Sequence, residues 1–522
     1  MTTVESFQAV AALGAAAGVL ALLIPGRGPA SGAPRIAAAL ALTVASWLLL
    51  VGSLVSRSSL DTIIDKLGSP SRLGAVAIGV GVGLVISLLL VRLCIRRPVV
   101  WLVLVAIALP IRVPVSLGSD LGGNLLIPLY WVIAIGVVAW IWGQRRGGLA
   151  NALDRRSLLD IPIATFTAFS LASIWWSGDI HEGTTKAVFF YIPFVILYRL
   201  VVNWWPLATN PLRAVAWTTI AMAVPIAAVA VAQLATHTIW WNDTLKQGNV
   251  YNRFFRANGI FYDPNILGRY LMVALTIVAA YAVVTNRRRE LLGLGLAAAA
   301  LAAGLVVTFS RSSALGLMVA VALLAVRAFG WRRTVLVGVG ALVLIGGPVV
   351  TVNSHVRDKV SSATGLASTG EGRFRLVSGG VTLWKTEPVK GVGLGAFAQE
   401  YRTTLPRKQE VKTRVFISHT APVTVLAELG VIGFALLLAL LGVATAVLWR
   451  GSRRNPGAAG FAQWTILAIL IGIFVHSLLY SAFFEDPYVW ILAAIGVAVG
   501  AAQPVQVREA TQAMPVVVSA TG

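Results

Sequence analysis

Apolar runs ended by short polar or basic breaks repeat along almost the whole chain, and the pattern fails over one long stretch only, between Asn353 and Ser418. A helix rises about 1.5 Å per residue and a bilayer core is about 30 Å thick, so runs of about 20 apolar residues predict transmembrane helices. They fall near residues 6–25, 35–56, 73–95, 98–110, 124–143, 158–176, 185–203, 211–235, 264–285, 291–309, 312–329, 334–352, 420–449, 461–481 and 487–502. The segment 98–110 is short and stops at Pro110, and 291–329 is too long for one span and must turn at Ser310-Arg311. The expected fold is an all-α, polytopic transmembrane helix bundle of about 14 spans (range 12–15), with one large loop holding short amphipathic helices.

Composition agrees, since 57% hydrophobic and 12% charged residues over 522 positions exclude a soluble globular protein. Positive charge is retained in cytoplasmic loops, which places Arg96-Arg97, Arg145-Arg146, Arg155-Arg156, Arg287-Arg288-Arg289, Arg332-Arg333 and Arg453-Arg454 inside. The alternate loops 177–183 and 481–487, the hairpin at Arg311 and the island 353–418 then lie outside, and an odd number of spans would put the amino terminus outside and the carboxyl terminus inside. The first helix lacks a basic leader and a small-residue cleavage site and reads as a retained span. Anchoring of this kind explains much of the formal charge of +22, so no nucleic-acid partner is implied, whereas membrane lipids are. The single Cys94 excludes an intramolecular disulfide.

The outer island holds eleven Lys and Arg against five acids. A solvated loop drawn to anionic headgroups accounts for that excess, and so does a site for a phosphate-bearing substrate. Phe374, Val377, Val381 and Trp384 recur at helical spacing among Arg373, Arg375 and Lys385, which predicts an amphipathic helix at the interface. Pro388 ends it, and Gly391, Gly393 and Gly395 follow as a turn. No strand–turn–helix unit surrounds these glycines, so they do not read as a nucleotide fold.

Around the island stand the candidates for chemistry. Arg311, at a hairpin tip, offers a planar, permanently charged donor suited to phosphate, or a snorkelling anchor. Arg256 leads with Arg253 into Asp263-Pro264-Asn265, where Asp caps a helix and Pro takes its first position. Arg269 follows inside that helix, either snorkelling or facing a polar cavity. His419 opens the span after the island, where an imidazole can accept a proton near neutral pH. Glu428 lies across the helix from it and reads as a separate intramembrane contact.

Four segments together resemble the O-antigen ligase and polymerase superfamily of bacterial membrane glycan-transfer proteins over roughly residues 160–500. They are Arg256-Ala257-Asn258-Gly259 with Asp263-Pro264-Asn265; Ser310-Arg311-Ser312; Trp384 with Pro388 and the glycines to Phe397; and His419 with Leu426-Ala427-Glu428-Leu429-Gly430 and Gly433. The resemblance implies a glycosyltransferase that moves a glycan from a polyprenyl-diphosphate carrier to a lipid or glycan acceptor hydroxyl, without metal or cofactor, on the outer face of the bacterial cytoplasmic membrane. It implies His419 as general base with Arg311 and Arg256 as catalytic arginines. Arg253, Arg269, Arg373, Arg375, Lys385 and Asn265 join them as candidates for holding the diphosphate. Thr420 departs from the family pattern, which often has Asn there, and the spans before residue 150 exceed the usual number.

The expected segments are amino-terminal helices 1–150, a transmembrane core 151–352, the loop or lid 353–418, carboxyl-terminal helices 419–502, and a disordered cytoplasmic tail 503–522. Three other readings remain open. A polymerase of lipid-linked repeats shares the donor chemistry. A glycosyltransferase of the GT-C type would use outer acids such as Asp120, Asp179 to Glu182 or Glu485-Asp486, although Asp486 before Pro487 also reads as a helix start. A flippase would prize the intramembrane His476, but no internal repeat supports a transporter.

Overall fold

The computed structural model describes residues 1–24, 33–55, 68, 70–117, 121–144, 157–240, 242–251, 254–341, 371–404 and 420–501. The elements in chain order are α1 (Thr3–Leu23), α2 (Ala33–Leu54), α3 (Pro70–Arg96), α4 (Pro98–Ala108), β1 (Val113–Leu117), β2 (Leu121–Leu125), α5 (Ile127–Gln144), α6 (Asp160–Ala172), α7 (Ile180–Lys186), α8 (Ile192–Trp204), α9 (Pro211–Thr236), α10 (Asp243–Tyr251), α11 (Pro264–Val284), α12 (Arg288–Val307), α13 (Arg311–Phe329), α14 (Trp331–Ala341), α15 (Glu371–Thr386), α16 (Phe397–Thr403), α17 (Ala421–Arg454), α18 (Gly457–Ser477) and α19 (Pro487–Ala501). Among the described residues ten helices are long and apolar enough to cross a membrane, and three shorter apolar ones, α4, α5 and α19, stand beside them. The fold is a polytopic helical bundle.

Each apolar run of the sequence contains a helix, and the turn demanded at Ser310-Arg311 separates α12 from α13. At that turn Phe309 takes a left-handed backbone (φ 50°) and its ring stacks on Phe254, 5.1 Å away. Two features add to the sequence reading. β1 and β2 form an antiparallel pair with Val113 opposite Leu125, between α4 and α5. α7 passes into α8 through a π-helical stretch, Ala187–Tyr191, so the helical run starts at Ile180 and not near 185.

Burial sorts the helices. Every residue of α8 is buried, and α11 is buried along most of its length, so these two stand at the centre. α3 is almost wholly exposed within the protein, as expected of a peripheral span facing lipid. α13 and α18 approach closely at Gly316 and Gly472, where a methyl on either would overlap the other's backbone. Small residues permit such contact where apolar burial offers no drive between helices.

The helices alternate between two ends. One gathers 109–117, 121–125, 173–183, 237–240, 242–251, 254–263, 308–310, 371–403 and 478–486, and the other carries the paired arginines at 96–97, 287–289, 332–333 and 453–454.

The predicted amphipathic helix exists as α15, but its buried face differs from the apolar stripe. Gly379, Gly380 and Leu383 are buried, whereas Val377, Val381 and Trp384 are half-exposed. Gly380 lies against Val423 and Phe397, and Gly379 against Tyr401, so α15 docks edge-on against α16 and the start of α17. Close backbone approach at glycines set the face here, which hydrophobic periodicity does not register.

Candidate active site

α11 starts where the sequence places it. Asp263 is extended, its carboxylate accepts the Asn265 N–H at 2.6 Å, and Pro264 takes the first turn. The preceding segment is clamped by Gln233 of α9, whose Oε1 accepts from the Asn258 and Gly259 amides (3.2 and 2.8 Å) and whose Nε2 donates to the Gly259 carbonyl (2.9 Å). Ala257 N–H donates to the Val307 carbonyl at the end of α12. Arg256 is thereby held against the α12–α13 turn: its Nε donates to the Thr308 carbonyl (3.0 Å) and its Nη2 to Asn265 Oδ1 (3.2 Å).

Asn265 Oδ1 also accepts from Ser310 Oγ at 2.9 Å, and Ser310 caps α13, in which Arg311 is the first residue and is exposed. Thus the segments carrying Arg256, Asn265 and Arg311, drawn from two separate stretches of sequence, meet. The N-termini of α11 and α13 converge there on Asn265, with the Arg256 guanidinium between them and Arg311 as the first residue of α13. Helix N-termini and permanent positive charge in one place favour negative charge.

Arg269, one turn beyond Asn265, neither snorkels nor faces an open cavity. It is buried, with Nε 2.6 Å from Asp486 Oδ2, Nη1 donating to the Ala482 carbonyl, and its guanidinium over the Tyr480 ring. Its charge is matched by Asp486, so it braces the arginine site against the 478–486 loop. Asp486 accepts the Tyr488 N–H as well, consistent with a helix start. Lys385 is exposed in the last turn of α15. Arg373 and Arg375 lie in the first turns of the same helix, with side chains outside the described residues, and Arg253 and His419 lie outside them altogether. Thr420, which follows His419, is buried and caps α17 in an extended conformation. His476 occupies the last turn of α18, buried, its ring 5.6 Å from that of Tyr480. Asp179, read as a loop acid, caps α7 by accepting the Glu182 N–H.

A second polar centre escaped the sequence reading. Lys186 Nζ is buried 3.1 Å from Glu428 Oε1 and 3.9 Å from Glu485 Oε1. A cavity of about 30 Å³ beside them is lined by Tyr191, Thr424, Ser481 and Phe484. Burial pushes the Glu485 carboxyl above the usual carboxylate range, and Lys186 opposes that shift. Glu428 was expected to be a separate contact; its partner is 242 residues away and nothing local announces it.

α17 is also not the straight helix assumed. It breaks at Gly430 (φ 63°, ψ −166°), and the island's glycine stretch fills the break. Val392 and Gly393 N–H donate to the Ala427 and Glu428 carbonyls (3.1 and 2.8 Å), while Val431 and Ile432 N–H donate to the Pro388 and Val389 carbonyls (2.9 and 3.3 Å). The far side of the stretch is tied to the α6–α7 turn by Ser177 Oγ donating to the Leu394 carbonyl and Leu394 N–H donating to Ser173 Oγ. Backbone groups freed by the break are satisfied within the protein, which is the condition for irregular backbone in a spanning helix.

Residues 296–438 match the family model described as O-antigen ligase. The match covers most of α12, then α13, α15, α16 and the break in α17, and so includes Arg311, the glycine stretch and Glu428. No curated protein matches the chain. Over residues 296–438 the chain is thus similar to the O-antigen ligase family, and that region is set in a multi-pass helical membrane bundle.

Proposed function

We propose that the protein transfers a glycan from a polyprenyl-diphosphate carrier to an acceptor hydroxyl, acting as an O-antigen ligase. The observation that carries this reading is the meeting of Arg256 and Ser310 on Asn265 at two helix N-termini, with Ser310 and the adjoining Arg311 inside the family match. Breaking the sugar–diphosphate bond builds negative charge on the leaving oxygen. Fixed guanidiniums aimed at that charge stabilise it in the role a divalent cation fills elsewhere.

His419 acts as general base on the acceptor hydroxyl, a contribution of about 10²–10⁴-fold. Attack opposite the leaving diphosphate in one displacement inverts the anomeric centre. Arg253, Arg373, Arg375 and Lys385 supply positive charge around the entry of the anionic carrier, and Arg269 supports from behind. The arginine-paired end of the bundle is the cytoplasmic one by the positive-inside rule, so the site faces the extracytoplasmic side of the bacterial cytoplasmic membrane. Polymerisation of lipid-linked repeats would use the same donor chemistry and differs in the acceptor.

The test is product formation by purified protein in detergent from a polyprenyl-diphosphate glycan and an acceptor, with EDTA present. Transfer with inverted configuration that survives His419→Ala at full rate would remove the base assignment. A retained configuration would overturn the single displacement, and a lack of transfer in detergent would overturn the enzyme reading.

A further inference from the structure

The Lys186 centre joins the first half of α17 to the 481–486 loop, and that loop reaches the arginine site through Arg269. Glu428 belongs to the short half of α17 that begins at Ala421, ahead of the break at Gly430. Glu485 precedes Asp486, whose carboxylate holds Arg269, and Arg269 follows Asn265 by one turn on α11. Phe484, stacked on Phe166 at 4.3 Å, anchors the same loop. Two carboxylates, from segments far apart in the chain, thus meet one buried ammonium.

A buried ion cluster of this kind is poor at adding stability, because taking the charges out of water costs about as much as their attraction returns. It is good at fixing geometry. We propose that Lys186 is a positioning residue for glycan transfer, tying the first turns of α17 through Glu428 to the 481–486 loop through Glu485. Without the ammonium, Glu428 and Glu485 line one cavity of about 30 Å³ with no cation between them; whether they repel or one takes a proton, the link between the two segments is lost. A shift of about 1 Å in a positioned group costs on the order of 10²-fold in rate.

The proposal rests on the glycan-transfer reading, and wild-type turnover separates the two. Absence of transfer by wild-type protein overturns the functional reading. Transfer by wild type sets the reference for two variants, each scored per folded molecule from a polyprenyl-diphosphate glycan donor. Lys186→Met is expected to lower kcat by about 10²-fold with the donor KM changed less than about threefold. Unchanged kcat, or a loss confined to donor KM, overturns the positioning role. Lys186→Met/Glu428→Gln removes the ammonium together with one of the carboxylates it separates, and is expected to fold and to recover about tenfold of the lost kcat. A double variant at wild-type kcat, or one no faster than Lys186→Met, overturns it as well, and the first of these outcomes stays measurable should Lys186→Met fail to fold.

Discussion

The arginine site and the lysine–glutamate centre lie at the same end of the bundle and use the same elementary forces in opposite ways. Arg256 is held by neutral oxygens, the Thr308 carbonyl and the Asn265 amide, and Arg311 is exposed. Lys186 is buried against carboxylates. Hydrogen bonds to neutral acceptors orient a guanidinium without neutralising it, whereas an ion pair uses the charge in holding chain segments together. Proximity to the end of a helix therefore says little about role, and the partners decide it. Arg269 belongs by its partner Asp486 with the second group, although its sequence position associates it with the first.

If the comparison holds, Arg256→Ala and Arg311→Ala each lower transfer by about 10²–10³-fold, the range for losing one charge-stabilising donor, with Tm little changed. Retention of more than about a tenth of activity in both would erase the distinction. Next, Gly430→Ala should cost about 1–3 kcal/mol of stability, read as a fall in Tm, because its left-handed backbone is strained for alanine and the added methyl overlaps the Val389 carbonyl. Gly293→Ala on α12, whose Cβ would meet nothing, is the control and should hold or raise Tm.

Asn265→Ala removes the acceptor shared by Arg256 and Ser310 and should reduce kcat by about tenfold, equivalent to a hydrogen bond to a charged group. Smallest is a pH effect. Burial raises the Glu485 carboxyl, so its contribution to stability is present at low pH and is lost as pH rises through the raised value. Glu485→Gln lacks that loss, and its Tm relative to wild type should climb as pH rises above the ordinary carboxylate range. A constant difference over that rise would show that the carboxyl is not raised.

Much of the bundle was legible because spanning a bilayer imposes length and apolarity on each run separately. The hairpin at Ser310 and the Asp263 cap were legible for the same reason: capping is a rule among neighbours in sequence. Arg256 and Arg311 could be singled out as lone cations at span ends, but their meeting through Thr308 and Asn265 depended on how α11, α12 and α13 pack. The break at Gly430 left no mark, since a glycine in an apolar run reads equally as a small packing residue. Lys186 was passed over because it sits among the first residues of a span, where a lysine reads as an interfacial anchor. Its partners are far away in the chain.

The interrupted α17 has a consequence for how the protein is made. Residues 388–393 leave the ribosome before the helix whose gap they fill, and Ser173 and Ser177, which grip the same stretch, leave it earlier still. The glycine stretch therefore has one docking surface waiting when it emerges and must hold its place until α17 arrives to complete the other. A truncation ending before Ala421 would release that stretch half-docked, and α17 inserted without it would carry unsatisfied amides and carbonyls into the bilayer's edge. Residues 388–395 on this account complete a helix made after them, and shortening them should be read out in membrane insertion and degradation before it is read out in catalysis.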